Sequence, residues 1–131
     1  HFKSSDEAQS TYWLRLMFVS ELDETLHLGR AIPRDWLRDG ETVAIKNAST
    51  YFGTLNFEIR SRAGQGRIEA FIDPPARIAP KVIVVRLRHP ENKAIRRVSV
   101  NRTSWTDFDG QRGDIRLPGD FGARIQIVAE Y

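Results

Sequence analysis

The sequence predicts an all-β fold: an antiparallel β-sandwich, jelly-roll or immunoglobulin-like, of about nine strands. Three observations carry that reading. Apolar residues recur with period two along most of the chain, which gives each strand one dry and one wet face. Turn-forming residues separate these runs at short intervals. Only "IPRDWLRDG" reads as helical.

The expected strands cover residues 12–19, 25–29, 42–47, 55–60, 67–73, 82–88, 95–101, 114–117 and 124–130. A short helical turn is expected near 33–38, where Pro33 suits a first helical position, Trp36 and Leu37 give an apolar flank, and Gly40 ends it. Trp36 there would plug one end of the sandwich. In 55–60, Leu55, Phe57 and Ile59 alternate with Asn56, Glu58 and Arg60. Ala63-Gly64-Gln65-Gly66 reads as a hairpin connection into 67–73. Pro74-Pro75 and Pro80 punctuate a crossover in which no ladder amide is needed. Residues 82–88 begin apolar on both faces and end wet, as a central strand would. Ile125, Ile127 and Ala129 alternate with Arg124, Gln126 and Glu130. Leu55, Phe57, Ile59, Ile83, Val85, Leu87, Ile125 and Ile127 should therefore share one core.

At 131 residues, the chain is sized for one domain. Residues 1–10, "HFKSSDEAQS", read as a flexible linker or tag remnant, and 11–131 as a single sandwich domain. Met17 is the lone methionine, so the expectation is a removed signal peptide or, preferred, a piece cut from a longer polypeptide. There is no cysteine, hence no disulfide framework and no thiol nucleophile. The net charge of +3 invites a nucleic-acid partner. Its arginines instead alternate with acids, as in Arg34-Asp35 and Arg38-Asp39, where a phosphate-binding stripe would cluster them. Neither a nucleic-acid nor a membrane partner is expected; the longest apolar run, at 82–85, is strand-sized.

No catalytic residue is assigned. Asp107 and Asp109 sit two apart at one hairpin end with no opposing wall, whereas a glycosidase needs carboxylates across a cleft. Their plainer role is to accept backbone amides in a turn. "DFDG" starts like a calcium loop, with Asp114 as a third ligand, but lacks the later glutamate of an EF-hand. None of His1, His27 or His89 neighbours a nucleophile elbow. No cofactor is expected. The aromatics offer a sugar-stacking platform, with Trp105 the best exposed candidate and Trp13 either exposed or facing a neighbouring domain. The candidate carbohydrate-binding set is Trp105, Asp107, Asp109 and Trp13. Trp105 and Asp107 share strand parity, so an extended segment would present both on one face.

Taken together, "AIPRDWLRDGETVAIKNASTYFGTLNFEIRS", "PPARIAPKVIVVRLRHPENKAIRRVSVN" and "SWTDFD" resemble the C-terminal β-domain that follows the catalytic domain of large bacterial glycoside hydrolases with (α/α)6, six-hairpin barrels. The likeness runs from about Trp13 to Tyr131. It implies a non-catalytic accessory domain, secreted or periplasmic. Its partners would be the parent enzyme's catalytic domain and plant polysaccharide. In such domains the hairpin after "VSVN" turns on Asn-Gly, and here Arg102 replaces the glycine. Either the turn is longer or Arg102 is strained. Two alternatives stay open. One is an autonomous carbohydrate-binding module. The other is a copper polysaccharide oxygenase, in which His1 with His27 or His89 would resemble the histidine brace of those β-sandwich enzymes.

Overall fold

A computed structural model describes residues 19–131, and Trp13, His1 and most of the first expected strand lie outside them. The described chain is a two-sheet β-sandwich of eleven strands. They are β1 Val19–Leu22, β2 Thr25–Leu28, β3 Thr42–Thr50, β4 Gly53–Arg62, β5 Arg67–Asp73, β6 Val82–Arg86, β7 Arg97–Val100, β8 Thr103–Trp105, β9 Phe108–Asp109, β10 Asp114–Pro118 and β11 Ile125–Glu130. One sheet runs β1-β2-β6-β10-β9 and the other β3-β4-β5-β11-β7-β8.

The period-two faces are what bring the sheets together. Leu55, Phe57 and Ile59 of β4, Ile68, Ala70 and Ile72 of β5, and Ile125, Ile127 and Ala129 of β11 all face inward. They meet Leu26 and Leu28 of β2, Ile83 and Val85 of β6, and Ile115 and Leu117 of β10 in a single buried cluster. All eight residues expected to share a core do so.

The structure differs from expectation in two respects and bears out the short helical turn near 33–38. β2 and β6 pair in parallel, so the sandwich is not wholly antiparallel. Between them the chain leaves to form β3, β4 and β5 in the other sheet, and only a long connection of this kind can join parallel neighbours. The additional strands arise at the margins: β8 and β9 have three and two residues, too few for alternation to register. The short helical turn forms as a single 3-10 turn, Arg34–Leu37, which buries Leu37 and packs Trp36 against the core.

Two turns repay inspection. The β4–β5 hairpin closes on a 3-10 turn at Ala63–Gln65, and Gly66 takes φ 78, a left-handed conformation that glycine adopts without a Cβ clash. The β7–β8 hairpin is a two-residue turn with Asn101 at φ 48 and Arg102 at φ 68. Positive φ at both central residues matches the right-handed twist of the flanking strands. The turn is thus tight, and Arg102 carries the strain, about 1–2 kcal/mol for a side chain in this region. Asn101 offsets part of it by accepting the Gln126 amide at 2.8 Å.

Candidate functional site

Trp105 lies opposite Val98 in the β7–β8 ladder, and Val98 is buried, so both side chains face the sandwich interior. The indole is half-buried against the core, its ring 6.4 Å from that of Phe121. Its N–H donates to the Arg116 carbonyl at 2.9 Å. Since β8 and β10 belong to different sheets, Trp105 stitches the open side of the sandwich. The parity linking Trp105 to Asp107 does not extend that far, because β8 ends at Trp105 and the chain then crosses to β9 in the other sheet.

Asp109 caps its own turn: Oδ1 accepts the Gln111 and Arg112 amides at 3.0 and 3.1 Å. Asp107 is exposed, and its carbonyl accepts the Arg116 amide. Asp114, the third residue of the calcium reading, is held by Arg86 through two bonds of 2.7 and 3.1 Å and by Arg112 at 3.1 Å. Burial raises the Asp114 pKa, but the two guanidiniums outweigh it and hold the carboxyl below its usual value. Among the described residues no three His, Asp or Glu side chains gather as a metal site.

His89 is buried near the end of the sandwich formed by the 3-10 turns and the C-terminus. Its Nδ1 accepts the Glu91 amide at 3.0 Å, which puts the neutral ring's proton on Nε2. Nε2 makes no well-formed hydrogen bond among the described residues, the Ala63 carbonyl being its nearest acceptor, and the Tyr131 ring lies 5.0 Å away. Burial, then the charge of Lys93, lowers the His89 pKa. A cleft of about 350 Å³ beside it is lined by Asp35, Arg38, Asp39, Pro90 and Glu91. These charges are engaged locally: Asp39 accepts the Gly64 amide at 2.9 Å, and Asp35 and Glu91 face Arg38 and Lys93.

The outer face of the six-stranded sheet carries a further arrangement. Across it run Ala44, Glu58, Phe71 and Gln126 as successive register partners on β3, β4, β5 and β11. Phe71 is half-buried on the wet side of its strand, between the inward Ala70 and Ile72. The guanidiniums of Arg60 and Arg124 lie over its ring, 4.6 and 5.4 Å from the centroid. Arg60 bonds Glu58, and Arg124 pairs with Asp73 at 3.7 Å. Asp73 accepts from Asn56 at 3.2 Å, and Asn56 accepts the Asn47 amide at 2.7 Å. Asn47 sits in the β3 bulge between Ile45 and Ala48 at φ 54. A groove of about 250 Å³ passes Lys46, Asn56, Phe71, Asp73 and Arg124. The signal for it was present in "RIEAFID", where an aromatic occupies the polar parity.

At the opposite end from His89, Leu22, Tyr51 and Ile78 are the exposed large apolar side chains among the described residues. They converge. The Tyr51 amide donates to Glu21, next to Leu22, at 2.8 Å, and the Ile78 amide donates to the Phe52 carbonyl at 2.9 Å. Arg77 bonds the Tyr51 carbonyl and lies over its ring.

No family model matches the chain, and no curated protein matches it. Among solved structures it is similar to a GH31 dextranase from Flavobacterium johnsoniae in complex with isomaltotriose, at TM-score 0.49 and 8% identity. The match covers 82% of this chain and 16% of that enzyme, so the chain spans about a sixth of its length. The dextranase's activity is a statement about that protein.

Proposed function

We propose that this chain is a non-catalytic accessory domain of a carbohydrate-active enzyme, which packs against a catalytic domain and supports it. The observation that carries the reading is that Leu22, Tyr51 and Ile78, the exposed large apolar side chains among the described residues, all lie at one end of the sandwich. Docked against a larger domain, these side chains would leave water, each contributing up to about 1.5–3 kcal/mol. The sequence resemblance supplies the kind of partner.

The test is to express the polypeptide that flanks this chain in its reading frame, with and without the chain. A catalytic domain that melts at lower temperature without its companion, and likewise with a Leu22→Ser, Tyr51→Ser, Ile78→Ser companion, is the expected result. Equal melting in all three cases would remove the supporting role. The chain alone should not turn over aryl glycosides or plant polysaccharides. Turnover that vanishes in Asp107→Asn or Asp109→Asn would refute the non-catalytic assignment.

A second reading, direct contact with polysaccharide, is favoured by the Phe71 groove, where an aromatic overlain by two guanidiniums is bordered by hydrogen-bonding side chains.

A further inference from the structure

The geometry points to the groove on the outer face of the six-stranded sheet as a binding site for an acidic glycan, a chain of uronate-bearing sugars. The inference rests on the reading of the domain as part of a carbohydrate-active enzyme, and it names the ligand class and the residues.

The Arg60 and Arg124 guanidiniums lie over the Phe71 ring, so the floor of the groove is made of these weakly hydrated cationic planes held on the aromatic. Around that floor stand hydroxyl partners fixed in advance. Asp73 and Asn56 are locked to each other, Asn56 is locked to the β3 bulge, and Glu58 is held by Arg60. Gln126, exposed, is the register partner of Phe71 on the side away from Glu58. The order of these groups lowers the entropy lost on binding.

The charges select within sugars. Lys46, Arg60 and Arg124 bring three cations to the groove, and Glu58 and Asp73 bring two anions. Arg60 and Arg124 are each paired, but Lys46, exposed in the bulged segment of β3, makes no ion pair among the described residues. One uncompensated ammonium beside two carboxylates suits a ligand with one carboxylate per ring and many hydroxyls. A phosphate-dense polymer would meet Glu58 and Asp73 at close range and be repelled.

Native affinity electrophoresis of the full chain tests this, in gels containing polygalacturonate, neutral dextran or dextran sulfate. Polygalacturonate should retard the wild type, and Phe71→Ala and Lys46→Glu should each weaken that retardation at least fivefold with far-UV circular dichroism unchanged. Trp105→Phe should leave it intact. If Phe71→Ala fails to fold, the exposed Lys46→Glu carries the test. Absence of retardation, equal retardation of Lys46→Glu, or equal retardation by dextran sulfate would overturn the site. Retardation by neutral dextran alone would also overturn it, while leaving the accessory-domain reading, which the melting of the flanking catalytic domain tests separately.

Discussion

The two ends of the sandwich both hold loops with side-chain hydrogen bonds but differ in where their large apolar side chains sit. At the end holding His89 and the C-terminus, every loop is tied down by a side chain. Ser61 donates to the Leu37 carbonyl at 2.6 Å, Tyr131 to Leu87 at 2.7 Å, Arg34 to His89 at 3.1 Å and Arg88 to Ile32 at 2.6 Å. Its apolar side chains point inward; Leu37 and Leu87 are buried. At the end holding the β1–β2 turn, the β3–β4 turn and the β5–β6 crossover, Leu22, Tyr51 and Ile78 point outward. A domain that needed only its own stability would close both ends alike. The difference separates residues that hold the fold from residues that await something else.

The largest effect should come from the closed end. Leu87→Ala removes a fully buried side chain beside the Tyr131 hydroxyl contact and is expected to cost about 2–5 kcal/mol in urea melts. A loss below about 1 kcal/mol would mean that this end is not packed as described. Ser61→Ala comes next. Its buried hydroxyl donates to the Leu37 carbonyl and accepts the Ala63 amide at 3.3 Å, so its loss leaves two backbone groups short of a partner. The expected cost is about 1–3 kcal/mol, and a neutral result would show that water replaces the hydroxyl.

Much of this division could be read from the sequence, and some could not. Alternation in 55–60 and 124–130 located the inner face of the six-stranded sheet because burial on one side leaves a period-two record. The parallel β2–β6 pairing left no such record, because a strand's own pattern does not reveal the direction of its neighbour. Its place after a hairpin makes Trp105 read as an exposed platform. Its orientation depends on pairing with Val98 and on reaching a carbonyl of the opposite sheet, both non-local facts. Phe71 stands out in the sequence only as an aromatic at a wet-face position, and a single residue of that kind does not by itself mark a site. The closed end's ties are mostly side chain to backbone across long separations, which no local pattern encodes.

A pH titration sharpens the comparison more gently. Burial, followed by the charge of Lys93, lowers the His89 pKa, with Arg34 adding to the effect, while Glu91 and the Ala63 carbonyl oppose it. The unfolded chain therefore binds a proton near the ordinary value of 6.5 that the folded chain resists. Stability from this group is full above that value and falls as pH drops from 6.5 toward the folded pKa. His27 on β2 is lowered too, by burial and then by Arg30, and acts with the same sign in the same window. Thermal midpoints should thus decline between pH 7 and pH 5, and His89→Gln should flatten the decline in part. An unchanged slope in His89→Gln would assign the effect to His27 and leave the closed end indifferent to pH.

The smallest effect on stability is also the one that speaks most directly to purpose. Leu22, Tyr51 and Ile78 are 56%, 65% and 38% exposed, so Tyr51 is the one whose replacement by serine disturbs packing least. Tyr51→Ser should shift the folding free energy by no more than about 0.5 kcal/mol, as surface substitutions do. Tyr51 is the most informative of the three, because its amide and carbonyl, not its ring, make the hydrogen bonds that anchor the turn to Glu21 and Arg77. Tyr51→Ser keeps both backbone groups and removes the ring alone. If chemical denaturation shows Tyr51→Ser within that range while Leu87→Ala falls by several-fold more, the open end is dispensable to the fold, and its apolar side chains are free to serve an interface. A loss above about 2 kcal/mol in Tyr51→Ser would place the ring among the residues that hold the sandwich together, and the contrast between the two ends would collapse.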